Sequence, residues 1–216
     1  MNNVGEEFGG SVLLKAWLGD LTLKAGMNDR TQQIPTGAYE TIFGDARTQV
    51  QDDRYFIELK HTPKLSPELG LSTRIFFDSF GYAGDFAYPE EDDGLMKEYY
   101  RGHLLGTELR ADYAPFDWAR FTLGGEYQFH FMNEAKGRSD SGLFLDEEHP
   151  YHSAAAFGIA HVDLFDWWSL QAGARLDAKY VSGLATVPKP WSGPVSAAAS
   201  EKICKVTKPD GPELEE

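Results

Sequence analysis

A two-residue period in polarity recurs along this chain, and it leaves few folds open. Phe121, Leu123, Gly125, Tyr127, Phe129 and Phe131 alternate with Arg120, Thr122, Gly124, Glu126, Gln128 and His130. Successive side chains of an extended strand point to opposite sides, so Arg120–Phe131 is predicted to be a strand with one apolar and one polar face. The same pattern runs through Leu21–Asn28, Tyr55–His61, Leu71–Phe80, Leu105–Tyr113 and Ser169–Asp177. Ser11–Leu18 and Ala154–Asp163 carry it more weakly. A helical period of 3.6 residues fits none of the stronger segments. An all-β, antiparallel up-and-down meander of about eight strands is expected.

The connections add a direction. Gly19-Asp20 reads as a two-residue hairpin turn, with glycine free to take positive φ. Asp29–Gln51, the stretch from Ala83 to Tyr99, and Asn133–His152 read as long loops, whereas Thr62–Gly70, Ala114–Trp118 and Leu164–Trp168 are short. Short and long connections alternate, which places all the long ones at one end of the meander. A soluble meander has no reason for this asymmetry. A transmembrane barrel does, with tight turns on one side of the membrane and long loops on the other.

Alternation alone leaves open which face looks outward. A soluble antiparallel sheet buries its apolar face, and a membrane barrel turns that face to lipid around a wet lumen. Phe116, Trp118, Phe165, Trp167 and Trp168 gather at the short-turn end. They suit an interfacial aromatic girdle, or the plugged end of a soluble sandwich. In a barrel, Arg74, Asp78, Glu108, Arg110, Asp112, Glu126, Arg175 and Asp177 would point inward. There they are expected to form cross-strand charge pairs that hydrate the wall and set its register.

Composition then removes whole classes of chemistry. With 20 basic and 34 acidic residues the net charge is −14, opposite to what a nucleic-acid partner requires. The single cysteine, Cys204, excludes an internal disulfide and a thiolate zinc site. No apolar run reaches the length of a transmembrane helix, and MNNVGEEFGG is not a secretory signal. From Ser182 to Glu216 the chain carries five prolines and little alternation, and it reads as an irregular tail.

The run LTLKAGMNDRTQQIPTGAYETIFGDARTQVQDDRYFIEL, Leu21–Leu59, resembles the barrel of TonB-dependent outer-membrane receptors. IPTGAYETIFGDAR, Ile34–Arg47, looks like the long loop that follows an early barrel strand in that family. LSTRIFFDSFGYAGDF (Leu71–Phe86), FTLGGEYQF (Phe121–Phe129) and WSLQAGARLD (Trp168–Asp177) are similar to its strands. The resemblance covers about residues 8–180, so 1–181 is expected to be a partial receptor-like barrel and 182–216 the tail. Such receptors have an N-terminal plug inside a barrel of about 22 strands and a short box that contacts TonB. Neither the plug nor the box is recognisable here, which implies an internal piece of a receptor, not transport-competent alone. The resemblance further implies outer-membrane lipid as surroundings, with the TonB complex and plug as partners of the parent. The ligand would be a small molecule of the ferric siderophore or cobalamin class, and Tyr39, Phe43, Tyr88 and Phe144 are candidate loop contacts.

No residue pattern points to catalysis. There is no GxSxG elbow and no phosphate-cradling glycine loop. The acidic Pro89–Gly94 loop lacks ligand spacing and reads as solvated. Asp146–His152, DEEHPYH, combines carboxylates with imidazoles, but His149 and His152 flank Pro150 without a second ligand cluster. His61, His103, His130 and His161 lie on separate strands as rim or lumen residues. We therefore expect no enzyme, no catalytic or cofactor-binding residues and no metal site. Two other readings remain open at this stage: a complete small eight-stranded outer-membrane barrel of structural or adhesive role, and a soluble β-barrel or sandwich binding module.

Overall fold

The computed structural model describes residues 5–89, 94–165 and 167–181 in full, and the backbone of residues 198–207. Strands β1 (Glu7–Leu18), β2 (Leu21–Gln33), β3 (Gln49–His61), β4 (Leu69–Ala87) and β5 (Leu95–Phe116) lead into β6 (Ala119–Ser139), β7 (Gly142–Glu148), β8 (Tyr151–Phe165), β9 (Trp168–Val181) and β10 (Ala198–Thr207). All pairings are antiparallel, in the order β1-β2-β3-β4-β5-β6-β8-β9-β10, with β7 paired to the far end of β6. The only helical element among the described residues is a 3₁₀ turn at Ala38–Glu40.

The expected strands are present but longer. Arg120–Phe131 extends to Ser139, and Leu105–Tyr113 begins ten residues earlier, at Leu95. The supposed long loops shrink accordingly: 83–99 becomes 88–94, and 133–152 becomes a hairpin closed by residues 140–141. In 133–139, NEAKGRS, polar residues occupy both faces, and at 86–87 two successive apolar residues are buried; either pattern erases alternation without breaking the backbone ladder. The connection over residues 62–68 is as long as that over 88–94, so the alternation in loop length is not strict. The tail also departs from expectation. Ala198–Thr207 pairs with β9, whereas 182–197 and 208–216 lie outside the described residues.

The sheet curls. A single hollow is bordered by Leu13 on β1 and Gln128 on β6, five strand spacings or about 24 Å apart on a flat sheet. Polar side chains occupy the more enclosed face: Glu58 and Glu126 are only 14% and 15% exposed. The apolar face is open, with Leu123 66% exposed and Ile57, Leu59, Ile75, Leu105 and Leu109 also exposed. Buried apolar residues among those described are only Phe86, Ala87 and Ala119. That is not the core of a soluble sandwich. Nor does the sheet close on itself among the described residues, since β1 and β10 are the two ends of its path.

Glycines on the inner face seat aromatic rings. Phe56 covers Gly26, Phe76 covers Gly106 and Phe157 covers Gly124, each from the neighbouring strand. A Cβ at Gly106 would overlap the Phe76 ring, which Arg74 caps from 4.3 Å. Gly106→Val is therefore expected to lower stability by about 1–3 kcal/mol, read as a lower urea midpoint with an unchanged slope.

Candidate functional site

The inner face carries a continuous charged band across the sheet. Register places Lys24 beside Glu58, Arg74 beside Glu108, and Glu108 beside Glu126. Lys24 Nζ lies 3.3 Å from Glu58, and Arg74 reaches Glu58, Glu108 and Glu126 at 3.2, 3.1 and 3.4 Å. Arg175 continues the band from β9, at 3.5 Å from Glu126 and 2.8 Å from Asp177. Asp78 pairs with Arg54 from β3 at 2.6 Å, and Arg110 with Asp112 at 3.0 Å. The eight inward charges expected from sequence all form ion pairs, but Arg110–Asp112 and Arg175–Asp177 pair along one strand and not across strands as expected. Lys24, Glu58 and Arg54, which complete the band, were missed. Their strands show the right alternation, but which residues meet is decided by register.

The outer face is an apolar band between two aromatic belts. At the short-turn end, Phe116 stacks on Trp118 at 5.1 Å and Phe165 on Trp167 at 5.6 Å. All four are exposed, as is Trp17 beside the Gly19-Asp20 turn. At the other end, Phe77, His103 and Phe131 stack within 6.3 Å of one another, and Phe129 lies 4.5 Å from His152. Tyr127 shares a 2.6 Å hydrogen bond with His152 Nδ1. Sequence reading identified only the first belt, although Tyr127, Phe129 and Phe131 were legible on one face. Between the belts, Ala119–Phe129 spans about 36 Å of strand, or roughly 25 Å of height at a 45° tilt, which matches the apolar band of a membrane barrel.

A search against family models found no match, and no curated protein matched. Among solved structures, the chain is similar to the copper transporter OprC, with a TM-score of 0.63 at 16% sequence identity over 93% of this chain. The chain has the fold of an outer-membrane barrel wall. It spans about a third of the OprC chain, 32% of its length.

In this barrel wall the long strands have a plain meaning. A membrane-spanning strand needs about 9–11 residues, while β4, β5 and β6 have 19, 22 and 21. Their upper halves project beyond the apolar band and carry the longer connections. There, residues 34–48 fold back onto the top of β4. Ile42 N–H donates to the Ala87 carbonyl at 2.8 Å, and Ala87 N–H donates to the buried Thr48 Oγ1 at 3.2 Å. Tyr39 meets Phe86 edge-on at 5.7 Å, and Tyr88 Oη donates to the Tyr39 carbonyl at 3.1 Å. Burial, with Glu98 and Glu40 nearby, raises the Tyr88 phenol above its ordinary pKa.

Of the four candidate loop aromatics, Tyr39 and Tyr88 are joined. Phe43 is exposed on the same connection, and Phe144 lies over Gly137 on the β6–β7 hairpin. The candidate metal stretch at 146–152 is dispersed: His149 pairs with Glu147 at 3.1 Å, while His152 turns into the upper aromatic belt. Among the described residues, no group of three or more His, Cys, Asp or Glu is placed to hold a metal.

Proposed function

We propose that this chain forms part of the wall of an outer-membrane uptake receptor, with a non-catalytic role. The observation that carries the reading is the inverted polarity of the sheet: exposed apolar face outside, paired charges inside. In water this arrangement would leave the apolar band without cover. In a bilayer it places the band in lipid and the ion pairs against a hydrated interior. The likeness to a transporter supports a passage for a small solute through that interior. The resemblance to TonB-dependent receptors makes the ligand a ferric chelate or a cobalamin, with a plug and the TonB complex as partners of the parent receptor. Copper, the cargo named for OprC, has no multidentate His, Cys or carboxylate site among the described residues.

Produced without an export leader, the chain is expected to collect in inclusion bodies, because its band and sheet edges are uncovered. Behind a leader, it is expected in the outer-membrane fraction, extractable only with detergent and shifted in gel mobility by boiling. Monodisperse protein in plain buffer would overturn the barrel-wall reading. Uptake of an iron chelate by receptor-deficient cells carrying this chain alone would overturn its dependence on further parts.

A further inference from the structure

The inner wall contains a hollow of about 650 Å³ between β1 and β6, which reaches down to Glu58 and Arg74 of the charged band. Its upper rim is a row of hydrogen-bonding side chains on adjacent strands. Ser11 is the register partner of Asn28, and Asn28 of Arg54, so neighbours in the row stand about 4.8 Å apart and Ser11 and Arg54 about 10 Å. Arg54 uses Nε and Nη2 on Asp78, at 3.2 and 2.6 Å, and Nη1 has no hydrogen bond among the described residues. The side chains of Ser11 and Asn28 make no hydrogen bond among the described residues. One row below on the same face, Leu13 on β1 and Phe56 on β3 flank Gly26. Leu104 and Phe76 extend this apolar floor toward β5.

We propose that this hollow is a subsite for a small aromatic carboxylate. Its size is that of a small-molecule pocket, and an apolar floor under a few convergent polar groups is how such pockets select orientation. The ring lies on Phe56 and Leu13, over Gly26. The carboxylate accepts from Arg54 Nη1, the Ser11 hydroxyl and the Asn28 amide. A guanidinium supplies the charge-assisted bond that distinguishes a carboxylate from a neutral isostere. Asp78 holds Arg54 in place and limits its net charge, which favours a monoanion over a phosphate.

The subsite rests on the reading that the polar face bounds a water-filled interior, and its test separates the two. The full chain, refolded in non-ionic detergent, is titrated with 2-naphthoate by equilibrium dialysis against empty micelles. Saturable binding is expected. Arg54→Gln weakens it about tenfold or more, and Leu13→Trp, on the exposed edge strand, abolishes it by filling the floor. Leu123→Trp on the outer face leaves it unchanged, and 2-naphthamide binds at least tenfold more weakly than 2-naphthoate. Equal binding of amide and acid, retention in Leu13→Trp, or mere partition equal to that of empty micelles would each overturn the proposal. Heat-shifted gel mobility of the same samples reports the membrane fold independently. Binding lost with the shift retained removes the subsite alone, and binding retained with the shift lost removes the membrane reading alone.

Discussion

Leu123→Arg is expected to destabilise the protein in lipid vesicles by about 2–4 kcal/mol, the depth-dependent cost of a cation at the middle of a lipid-facing barrel surface. The residue is 66% exposed and sits near the centre of the apolar band. On a soluble protein, a substitution at such an exposed position changes stability by about 0.5 kcal/mol or less. Leu143→Arg supplies the comparison. Leu143 has nearly the same exposure, 67%, but lies on β7 beyond the band. Its change is expected to stay within about 0.5 kcal/mol. Urea titration of folded protein in vesicles reads both. Equal effects at the two sites would mean that the apolar face does not lie in lipid.

The second large effect is expected at Arg74. Its guanidinium is 27% exposed and serves three carboxylates, on Glu58, Glu108 and Glu126, which are 14–21% exposed. Arg74→Met removes the shared cation and leaves Glu108 and Glu126 opposed on adjacent strands, with Glu58 on the other side of β4. Breaking a buried ion pair costs about 3–5 kcal/mol, and residual water reduces this to about 2–3 kcal/mol here. Adding Glu108→Gln to Arg74→Met is expected to recover about 1 kcal/mol by lowering the repulsion. Arg175→Met should cost less than about 1 kcal/mol, because Arg175 and Asp177 are 40% and 44% exposed. Urea midpoints of the four proteins in the same vesicles provide the check. A loss at Arg175 as large as that at Arg74 would show that the band is not organised around one hub.

Both expectations depend on features that were legible to different degrees before the fold was known. Strand positions within the apolar band were readable, because there one face is apolar and the other polar, and every second residue reports it. Glu98–Gly102 and Asn133–Ser139 were not, because above the band both faces meet water and polarity no longer tracks the backbone. The two-residue hairpin at Gly19-Asp20 was also legible, and Gly19 takes φ 57 as such a turn requires. The left-handed Tyr39 and Glu40, with φ 59 and 65, were not. Neither residue type signals that conformation, which is imposed where the connection folds back onto β4. The inward charges could be named from alternation, since parity assigns a face. Parity puts Asn28 on the polar side of its strand, but its part in the proposed subsite, like that of Arg54, comes from neighbours on other strands.

That this chain forms two-faced antiparallel strands follows from its alternation and short turns, because a period of two is a local property of an extended backbone. The same alternation sets which residues share a face, and aromatics mark the short-turn end. Which face is outside was left to the tertiary structure, since alternation is symmetric between a core turned inward and one turned to lipid. Curvature breaks that symmetry. By curling toward Glu58, Arg74 and Glu126, the sheet encloses its charges where they can pair and leaves Ile57, Leu109 and Leu123 on the open side. The hollow beneath Ser11, Asn28 and Arg54 follows from the same curl, because only a curved sheet brings β1 and β6 to the border of one cavity.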